Sequence, residues 1–593
     1  MSCPLPERSL NKRAFAALFA AAVLILPPIS FAAENLPAET ATPATKAFTV
    51  FDMPKMSEGL IAAFHALQSG RFNIAEQELR TIIKAYPSRD ENYYLLARVL
   101  AMRGESAKAL DMLNTAVDRG FRNATMLQKD PSLKSIRADT RFTAILEKIL
   151  KAPPEKLPPK PKPRLIRGNE ALVGVENTGW NGRAGLLLSE FEFANKKPAT
   201  ATVQNGTNPV AGLLTQWYRQ GLAAGNHGDL YDNRDRGHSR LRPEDYPQLT
   251  FTRYDAAAKT TDIDYGLNAT ILYNAITIGN SSTAVNGSRL WRSLARLGTT
   301  LPYGANRLFL QYVNNMIYVY PAVRDYGEKW GDILTANTPY MLVSRGKSGS
   351  DRPFLNAIAS ILAAFKPEVK AYLTKRKMIM PTVQMLFREG QSTLRNDADY
   401  LTYKAHPPVF DALDIDLGRM VRMAQALAIK DIPPMVQLNL EKADGMRPGI
   451  DDFANLRPEE LFATPGALSF AARSSAKDHH FIVSAAKTQP LNGEKLTFRW
   501  AVLRGDAKEI KITPRNADGS TVEITIPWQA PFPAPDRPDL MTSRVEIAAF
   551  VSNGKHYSAP AFVNLLFPAN QVRKYNAKGR IVMIDHMDPV AEK

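Results

Sequence analysis

The stretch LQSGRF at residues 67–72 and the stretch MRG at residues 102–104 hold their glycines in the same frame. Gly70 and Gly104 are 34 residues apart in the chain. A constant period of this length is the signature of helix pairs that stack as a solenoid, with a glycine at the end of the first helix of each pair. The two stretches therefore predict an α-helical repeat domain, which we place at residues 51–151.

Alanine spacing supports the repeat. Ala75 and Ala109 follow the two glycines at equal distance, and a small side chain at that position lets two helices approach closely. With these residues, the region 56–123 resembles the tetratricopeptide-repeat (TPR) family, although Ser106 stands where the family usually has an aromatic residue. The resemblance implies a scaffold that binds a protein or peptide partner. The alternative is a docking domain with a purely structural role.

The N-terminus has the three parts of a secretory signal peptide. Basic residues precede an apolar run at 14–26, and the small residues Ser30 and Ala32 stand at the expected cleavage site. We predict a cleaved signal peptide at 1–32, followed by a flexible tether at 33–50 that is rich in Ala, Thr and Pro. The protein is then periplasmic or secreted. Retention of the signal as a membrane anchor is the less favoured alternative, because the apolar run is short for a span.

The cysteine content and the net charge limit the classes of function that the protein can have. The single cysteine, Cys3, lies in the predicted signal peptide, so the mature chain has no thiol for a disulfide, a thiolate metal site or a cysteine nucleophile. The formal net charge is +17, and residues 1–32 contribute +2 of it from three basic and one acidic residue, which leaves +15. Such a charge favours an anionic glycan or membrane surface as a partner. We do not expect nucleic acid as a partner, because the protein is predicted to be exported.

A linker rich in Pro and Lys at residues 152–165 separates the repeat from the centre of the chain, because this composition favours a semi-rigid extended spacer. Residues 166–465 form the predicted central domain. Apolar stripes at helical spacing, at 358–365 and 417–427, stand among short apolar runs and polar loops. This mixture predicts an α/β or α+β domain that is large enough to hold an enzyme core.

Alternating apolar residues mark the C-terminal region as β-structure. Runs at 498–502, 522–526 and 545–549 place an apolar side chain at every second residue, and Asn-Gly or Asp-Gly pairs lie between such runs. We predict an antiparallel β-sandwich at 475–568 and a tail at 569–593.

The segment Leu491-Asn492-Gly493, followed by the strand LTFRW at 496–500, resembles the PKD and other immunoglobulin-like (Ig-like) modules of secreted bacterial proteins. The resemblance implies adhesion, spacing or carbohydrate contact rather than catalysis. The predicted fold is therefore multidomain, with an α-helical TPR solenoid, a central α/β or α+β domain and a C-terminal antiparallel β-sandwich.

The densest polar stretch is GNHGDLYDNRDRGHS at residues 225–239. Imidazole and carboxylate groups are the usual ligands of zinc, iron and manganese, and glycine lets the backbone approach an ion. The stretch predicts a divalent-metal site, the one cofactor that the sequence indicates. Its ligands would be His227, Asp229, Asp232, Asp235 and His238. The alternative is a surface loop that Asp–Arg pairs and Asx turns hold in place.

A second polar stretch, SRGKSGSDRP at residues 344–353, precedes the first apolar stripe. Arg345, Lys347 and Asp351 would lie at a helix start, where free N–H groups favour an anionic ligand. Ser350 is a candidate nucleophile. The alternative is that Ser350 or Asp351 caps the helix.

A third candidate is the segment IGNSST at residues 278–283, which follows an apolar run predicted to be a buried strand. Asn280 and Ser281 would bind a ligand there, because α/β folds place ligands at strand ends. His406, in a loop that two prolines stiffen, is a candidate general base.

Two functions remain open. The first is an exported modular envelope protein, in which the TPR-like domain binds a partner, the central domain binds a ligand and the Ig-like module acts as a spacer or in adhesion. The alternative is an exported metal-assisted hydrolase that acts on an anionic or glycan substrate. The sequence leaves open whether the protein is an enzyme.

Overall fold

The computed structural model describes residues 48–153, 160–194, 197–206, 208–284, 294–301, 303–323, 325, 334–447, 450–451 and 459–586. The predicted signal peptide, nearly all of the tether, the middle of the linker and the end of the tail lie outside the described residues. Within the described residues, no helix is long and apolar enough to cross a membrane.

The N-terminal region is helical. Its helices are α1 (Met53–Gln68), α2 (Phe72–Ala85), α3 (Asp90–Met102), α4 (Ser106–Arg119), α5 (Ala124–Lys129) and α6 (Thr140–Lys151). Helix α1 packs on α2 and α3 packs on α4, and Gly70 and Gly104 have the positive φ that ends the first helix of each pair. These helices enclose a hydrophobic core of their own. The helices are confirmed, whereas membership of the TPR family stays a prediction.

The central domain contains eleven described strands and nine described helices. The strands are β1 (Arg164–Ile166), β2 (Glu170–Val173), β3 (Thr178–Asn181), β4 (Leu186–Ser189), β5 (Phe191–Phe193), β6 (Leu230–Asn233), β7 (Thr250–Tyr254), β8 (Ile271–Tyr273), β9 (Thr277–Asn280), β10 (Met316–Pro321) and β11 (Met341–Ser344). The helices are α7 (Pro209–Arg219), α8 (Ala256–Thr260), α9 (Leu297–Thr300), α10 (Gly304–Tyr312), α11 (Arg352–Ala364), α12 (Pro367–Arg376), α13 (Ile379–Glu389), α14 (Asp397–Tyr400) and α15 (Leu417–Ala426).

Six of these strands form one parallel sheet in the order β11-β10-β9-β6-β7-β2. Strands β9, β10 and β11 are buried along their whole length, and in β10 and β11 this burial shows as an apolar run without alternation. Helix α11 packs on β9 and on α7, α13 and α15. The centre is therefore an α/β domain, the first of the two predicted classes.

The predicted single strand at 271–278 is wrong in detail, since the structure has two strands there in different sheets. Strand β8 pairs with β4, and β9 belongs to the parallel sheet. The break falls at Asn274, whose Oδ1 accepts a hydrogen bond from the Phe191 backbone N–H (2.9 Å) and whose Nδ2 donates to the Phe191 carbonyl (2.9 Å). Periodicity does not reveal this exchange, because it depends on a residue 83 positions away.

The C-terminal region is a β-sandwich. Its strands are β12 (Asn439–Ala443), β13 (Glu460–Thr464), β14 (Ala467–Ala471), β15 (Asp478–Ser484), β16 (Thr497–Arg504), β17 (Lys511–Pro514), β18 (Thr521–Pro527), β19 (Phe532–Ala534), β20 (Arg537–Thr542), β21 (Arg544–Ser552), β22 (Ala561–Leu566), β23 (Gln571–Tyr575) and β24 (Ile581–His586). Two sheets, ordered β12-β15-β18-β17 and β13-β14-β22-β21-β16, enclose a common core, whereas β19-β20 and β23-β24 form separate two-stranded sheets. The region predicted as a tail, 569–593, thus contains the β23–β24 hairpin.

The sandwich differs from the prediction in two respects. It begins before residue 475, because β12, β13 and β14 belong to its sheets. One pair, β14 with β22, is parallel, whereas the other described pairs in these two sheets are antiparallel. Asp444-Gly445 follows β12 directly, but β12 to β14 lack the regular apolar alternation that located the later strands. The Ig-like resemblance stays a prediction.

The sandwich and the central domain share a hydrophobic core. Phe550 and Phe562 of the sandwich are buried in the core cluster of the central domain. Asn564 Nδ2 donates to the Asn337 carbonyl (3.1 Å), and the Asn337 backbone N–H donates to Asn564 Oδ1 (3.0 Å). Such a packed, hydrogen-bonded contact is typical of one structural unit rather than of a tethered spacer.

Candidate functional site

The parallel sheet has one topological switch point among its described strands. The chain passes from β6 to its neighbour β7 on one side, and from β9 to β10 on the other. The carboxyl ends of β6 and β9 therefore lie side by side with their connections leading apart, and Asn233 is in register with Asn280. In open α/β sheets, ligands bind in the crevice at this position.

Asn280, at the end of β9, is the centre of a hydrogen-bonded group. Its Oδ1 accepts from the Tyr231 hydroxyl (2.7 Å) and from Asn233 Nδ2 (3.1 Å). Its Nδ2 donates to the Ser239 carbonyl (3.3 Å) and to Asp351 Oδ2. Asn280 is thus saturated and buried, and it joins the ends of two strands to the start of helix α11.

Asp351 stands directly before α11 but does not cap it, because its side chain makes no hydrogen bond to the helix N-terminus. Ser350 does not cap it either, since its hydroxyl lies 2.8 Å from that of Ser344. The predicted helix and its start are confirmed, and side-chain capping is wrong. Burial raises the pKa of the Asp351 carboxyl, and hydrogen bonds from Asn280 and from the backbone N–H groups of Asp351 and Gly349 lower it in part. Asp351 Oδ1 is buried, and among the described residues no donor meets it in full hydrogen-bond geometry.

The loop after β6 brings a second carboxylate to the same edge. Asp235 Oδ2 accepts from the backbone N–H of Ser282 (3.1 Å) and from its hydroxyl. His238 Nδ1 lies 3.3 Å from this carboxylate and 2.7 Å from the Ser348 hydroxyl. A Ser-His-Asp relay needs the hydroxyl and the carboxylate on opposite ring nitrogens, and here both meet Nδ1. These contacts therefore hold the loop in place, and their geometry is not that of a catalytic Ser-His-Asp relay.

The same loop contains residues in the left-handed region of φ. Arg236 has φ 51° and Ser239 has φ 54°, a conformation that costs a non-glycine residue about 1–2 kcal/mol. Arg236 is held by Asp262 and lies over the Tyr265 ring, with Cζ 4.9 Å from the ring centroid. The chain thus holds the loop in a defined shape at the edge of the sheet.

The five predicted metal ligands do not form one cluster. Asp229 lies before β6 and pairs with buried Lys370 (2.6 Å), roughly 10 Å along the strand from Asp232. His227 lies against Phe193, with ring centroids 6.0 Å apart. In the part of the chain that the structure describes, no three His, Asp or Glu side chains are grouped as a metal site requires. The geometry does not support a metal centre made of these residues.

Asp232 lies on the opposite face of the sheet from its neighbour Asn233 and is fully buried. Its carboxylate accepts hydrogen bonds from four hydroxyl groups, which belong to Thr252 (2.6 Å), Tyr254 (2.7 Å), Tyr318 (2.5 Å) and Tyr273 (3.3 Å). The Tyr318 ring reaches Asp232 across Gly279, where an added Cβ would stand 2.3 Å from that ring. Sequence reasoning missed this hydroxyl cluster, since its members come from four different strands.

Two other predicted residues, Ser281 and Arg345, have structural roles. Ser281 donates from its hydroxyl to the Arg234 carbonyl (2.7 Å), which ties β9 to the loop after β6. Arg345 pairs with Asp411 (3.0 Å), whereas Lys347 is exposed at the rim.

His406 lies away from the switch point, in the contact with the sandwich. Its Nε2 lies 2.5 Å from the Tyr400 carbonyl and its Nδ1 lies 3.4 Å from Arg388 Nη1. Burial, followed by the Arg388 charge, holds the pKa of His406 well below its usual value. A buried neutral imidazole with both nitrogens engaged is a packing element here, and the structure gives no support to a role as general base.

A polar groove of about 580 Å³ lies along α7 and is a rival location for a ligand. It is lined by Thr202, Gln204, Asn205, Gly206, Ala211, Gly212, Thr215, Gln216, Arg219 and Gln220. Gln204 Nε2 donates to the Ser360 hydroxyl (3.1 Å), so this side chain is engaged within the protein.

No family model matches this chain, and no curated protein matches it significantly. Among solved structures, the chain matches a nucleoside hydrolase-related hypothetical protein from Saccharophagus degradans that is associated with carbohydrate metabolism. The match has 10% sequence identity, covers 49% of this chain and 71% of that chain, and has a TM-score of 0.18. A TM-score that low does not establish a common fold, and no conclusion on function follows from it.

Proposed function

We propose that the central domain binds a small, uncharged, hydroxyl-rich ligand at the carboxyl edge of its parallel sheet, between β6 and β9. The observation that carries the proposal is the carboxylate of Asp351, which is 1% exposed. Asn280 holds one of its oxygens, and the other meets no donor in full hydrogen-bond geometry among the described residues, although the backbone N–H groups of Asp351 and Gly349 act on the carboxyl and lower its pKa. An unpaired buried acceptor is costly, and a ligand hydroxyl would supply the missing donor.

The charges at this edge favour an uncharged ligand over the anion that the sequence predicted. Two carboxylates, Asp351 and Asp235, lie here, whereas of the two predicted cations Arg345 is taken by Asp411 and Lys347 is exposed at the rim. An anion would be repelled by both carboxylates, whereas hydroxyl groups would donate to them. A monosaccharide, a cyclitol or the ribose of a nucleoside has this chemistry.

The test is the melting temperature of the full chain in the presence of single compounds. We would use neutral monosaccharides, inositol and nucleosides, each beside its phosphate ester. A ligand that binds the folded state raises the melting temperature with its concentration. We expect at least one neutral polyol to do so and its phosphate ester to do so less. A response to the phosphate esters alone, or to none of the compounds, would refute the proposal.

The roles of the outer regions remain as the sequence indicated, with one change. We propose that the protein is exported by its signal peptide and that the helical region 48–153 recruits a protein or peptide partner. A charged groove of about 380 Å³ on α2, lined in part by Glu76, Arg80 and Lys84, supports such a contact. The sandwich shares a core with the central domain, which favours a supporting role over that of a spacer.

An exported hydrolase is the second candidate, and the contact that favours it is the Ser348 hydroxyl at 2.7 Å from His238 Nδ1. Rotation of the exposed imidazole would be needed to place Asp235 and Ser348 on opposite nitrogens. Hydrolysis of p-nitrophenyl esters or glycosides that Ser348→Ala abolishes, and that a chelator leaves unchanged, would establish a metal-free version of this function.

A further inference from the structure

The last two strands form a hairpin that projects from the sandwich. Strand β23 is fixed to the body by Arg573, which donates to the Ser474 carbonyl (2.7 Å) and stacks on Trp528 with Cζ 4.4 Å from the ring centroid. The Tyr575 hydroxyl donates to the Ala476 carbonyl (3.2 Å). Strand β24 pairs only with β23 among the described residues, so it is the outer strand.

The outer strand exposes three apolar side chains in succession. Val582, Met583 and Ile584 are 63%, 40% and 40% exposed. Because neighbours in a strand point to opposite faces, Val582 and Ile584 project on one face and Met583 projects on the other. Both faces of β24 therefore expose apolar side chains to solvent. A partner that covered only one face would leave the apolar side chains of the other face exposed.

The same hairpin exposes an excess of positive charge. Lys574, Lys578 and Arg580 are exposed and form no ion pair within the described residues, and Asp585 is the one acidic side chain of the segment 571–586. The turn that carries two of them is ordered by Asn576, whose Oδ1 accepts from the backbone N–H groups of Lys578 (2.9 Å) and Arg580 (3.1 Å). The charges are thus held beside the apolar strand.

We propose that the β23–β24 hairpin docks the protein on an anionic lipid surface. Val582, Met583 and Ile584 would enter the boundary between headgroups and acyl chains, and the three cations would meet the lipid phosphates. A lipid surface fits better than an added strand or a flat protein face, because only a medium that the hairpin enters edge-on covers both faces of β24. Apolar burial and attraction to anionic headgroups add in this kind of binding.

The experiment is cosedimentation of the full chain with vesicles of phosphatidylcholine alone or mixed with phosphatidylglycerol. The test variant carries Val582→Ser, Met583→Ser and Ile584→Ser, and the matched control is Leu413→Ser, which removes an apolar side chain that is 88% exposed elsewhere. We expect the wild-type protein and the control to bind the anionic vesicles at least tenfold more tightly than the test variant.

A second variant separates the two contributions. Lys574→Gln, Lys578→Gln and Arg580→Gln should remove most of the preference for phosphatidylglycerol and most of the salt dependence. Equal binding by the wild-type protein and the serine variant would overturn the proposal, since the net charge of the whole chain would then account for adsorption. A wild-type dimer that the serine variant abolishes would also overturn it, because a second copy would then be the occupant.

Discussion

Asn280 donates a hydrogen bond from Nδ2 to the buried carboxylate of Asp351, and this contact joins the carboxyl end of β9 to the start of α11. The amide is fully engaged, but the carboxylate is not, because no donor among the described residues meets Asp351 Oδ1 in full hydrogen-bond geometry. A saturated amide beside an unsaturated acid at the switch point of a parallel sheet is the basis of the proposed ligand site.

Replacement of Asn280 by Ala should abolish polyol binding. The change removes the group that orients Asp351, so we expect the affinity for the polyol to fall at least tenfold. Asn226→Ala is the matched control, because Asn226 is equally buried but lies before β6, at the opposite end of that strand. Both variants should be less stable, and isothermal titration should show binding only in the control. Equal loss in both would assign the effect to stability.

Gly279 should tolerate no side chain. An added Cβ would stand 2.3 Å from the Tyr318 ring and 2.5 Å from the Asp232 carbonyl oxygen, so Gly279→Ala should lower the free energy of unfolding by about 3 kcal/mol or more. Gly212→Ala is the control, because a Cβ there meets nothing within 4 Å and the residue lies inside α7. That change should stabilise the protein by about 0.5–1 kcal/mol. Urea denaturation measures both, and similar values for the two would contradict the packing described at Asp232.

His406 should make stability depend on pH in a known direction. Because its pKa is held well below the usual value in the folded state, the unfolded chain takes up a proton below about pH 6.5 while the folded chain does not. The resulting stability is present above that pH and is lost on acidification, by about 1.4 kcal/mol per pH unit. His406→Gln removes this one contribution. We expect a shallower decline in the variant below pH 6.5, and parallel curves would show that His406 is protonated in the fold.

Thermal unfolding should show two transitions. The N-terminal helices have a core of their own, whereas the sandwich has a core between its sheets and also contributes Phe550 and Phe562 to the core of the central domain. Phe562→Ala should lower the midpoint temperature of the larger transition by an amount equivalent to about 3–5 kcal/mol of stability. Leu113→Ala should lower only the midpoint temperature of the smaller transition. Differential scanning calorimetry distinguishes this from an independent sandwich, which would add a third transition and leave the central one unaffected by Phe562→Ala.

Local patterns in the sequence predicted most of the fold. The two glycines at 34-residue spacing located the helix pairs, and alternation with Asn-Gly turns located the later strands of the sandwich. A strand end was predicted at Ile278, two residues before the observed end of β9, because a buried apolar run before a polar turn marks it locally. What the sequence does not show is pairing over long distances, such as that of Asn274 with Phe191 or of β14 with β22.

The candidate site was predicted only in part, for the same reason. Asn280 and Asp351 were both selected from separate stretches, but nothing in the sequence places them in contact across 71 positions. The density of His and Asp at 225–239 predicts a metal site, but among the described residues these side chains are not grouped as such a site requires. Alternation along β6 turns Asp232 to one face of the sheet and Asn233 to the other, so neighbours in sequence lie in different environments.

The most direct test of the ligand site is a crystal structure of the full chain with the neutral polyol that raises its melting temperature. The account predicts a ligand hydroxyl oxygen within hydrogen-bonding distance of Asp351 Oδ1, at the carboxyl ends of β6 and β9. A polyol in the groove along α7, with Asp351 Oδ1 still without a donor, would contradict it.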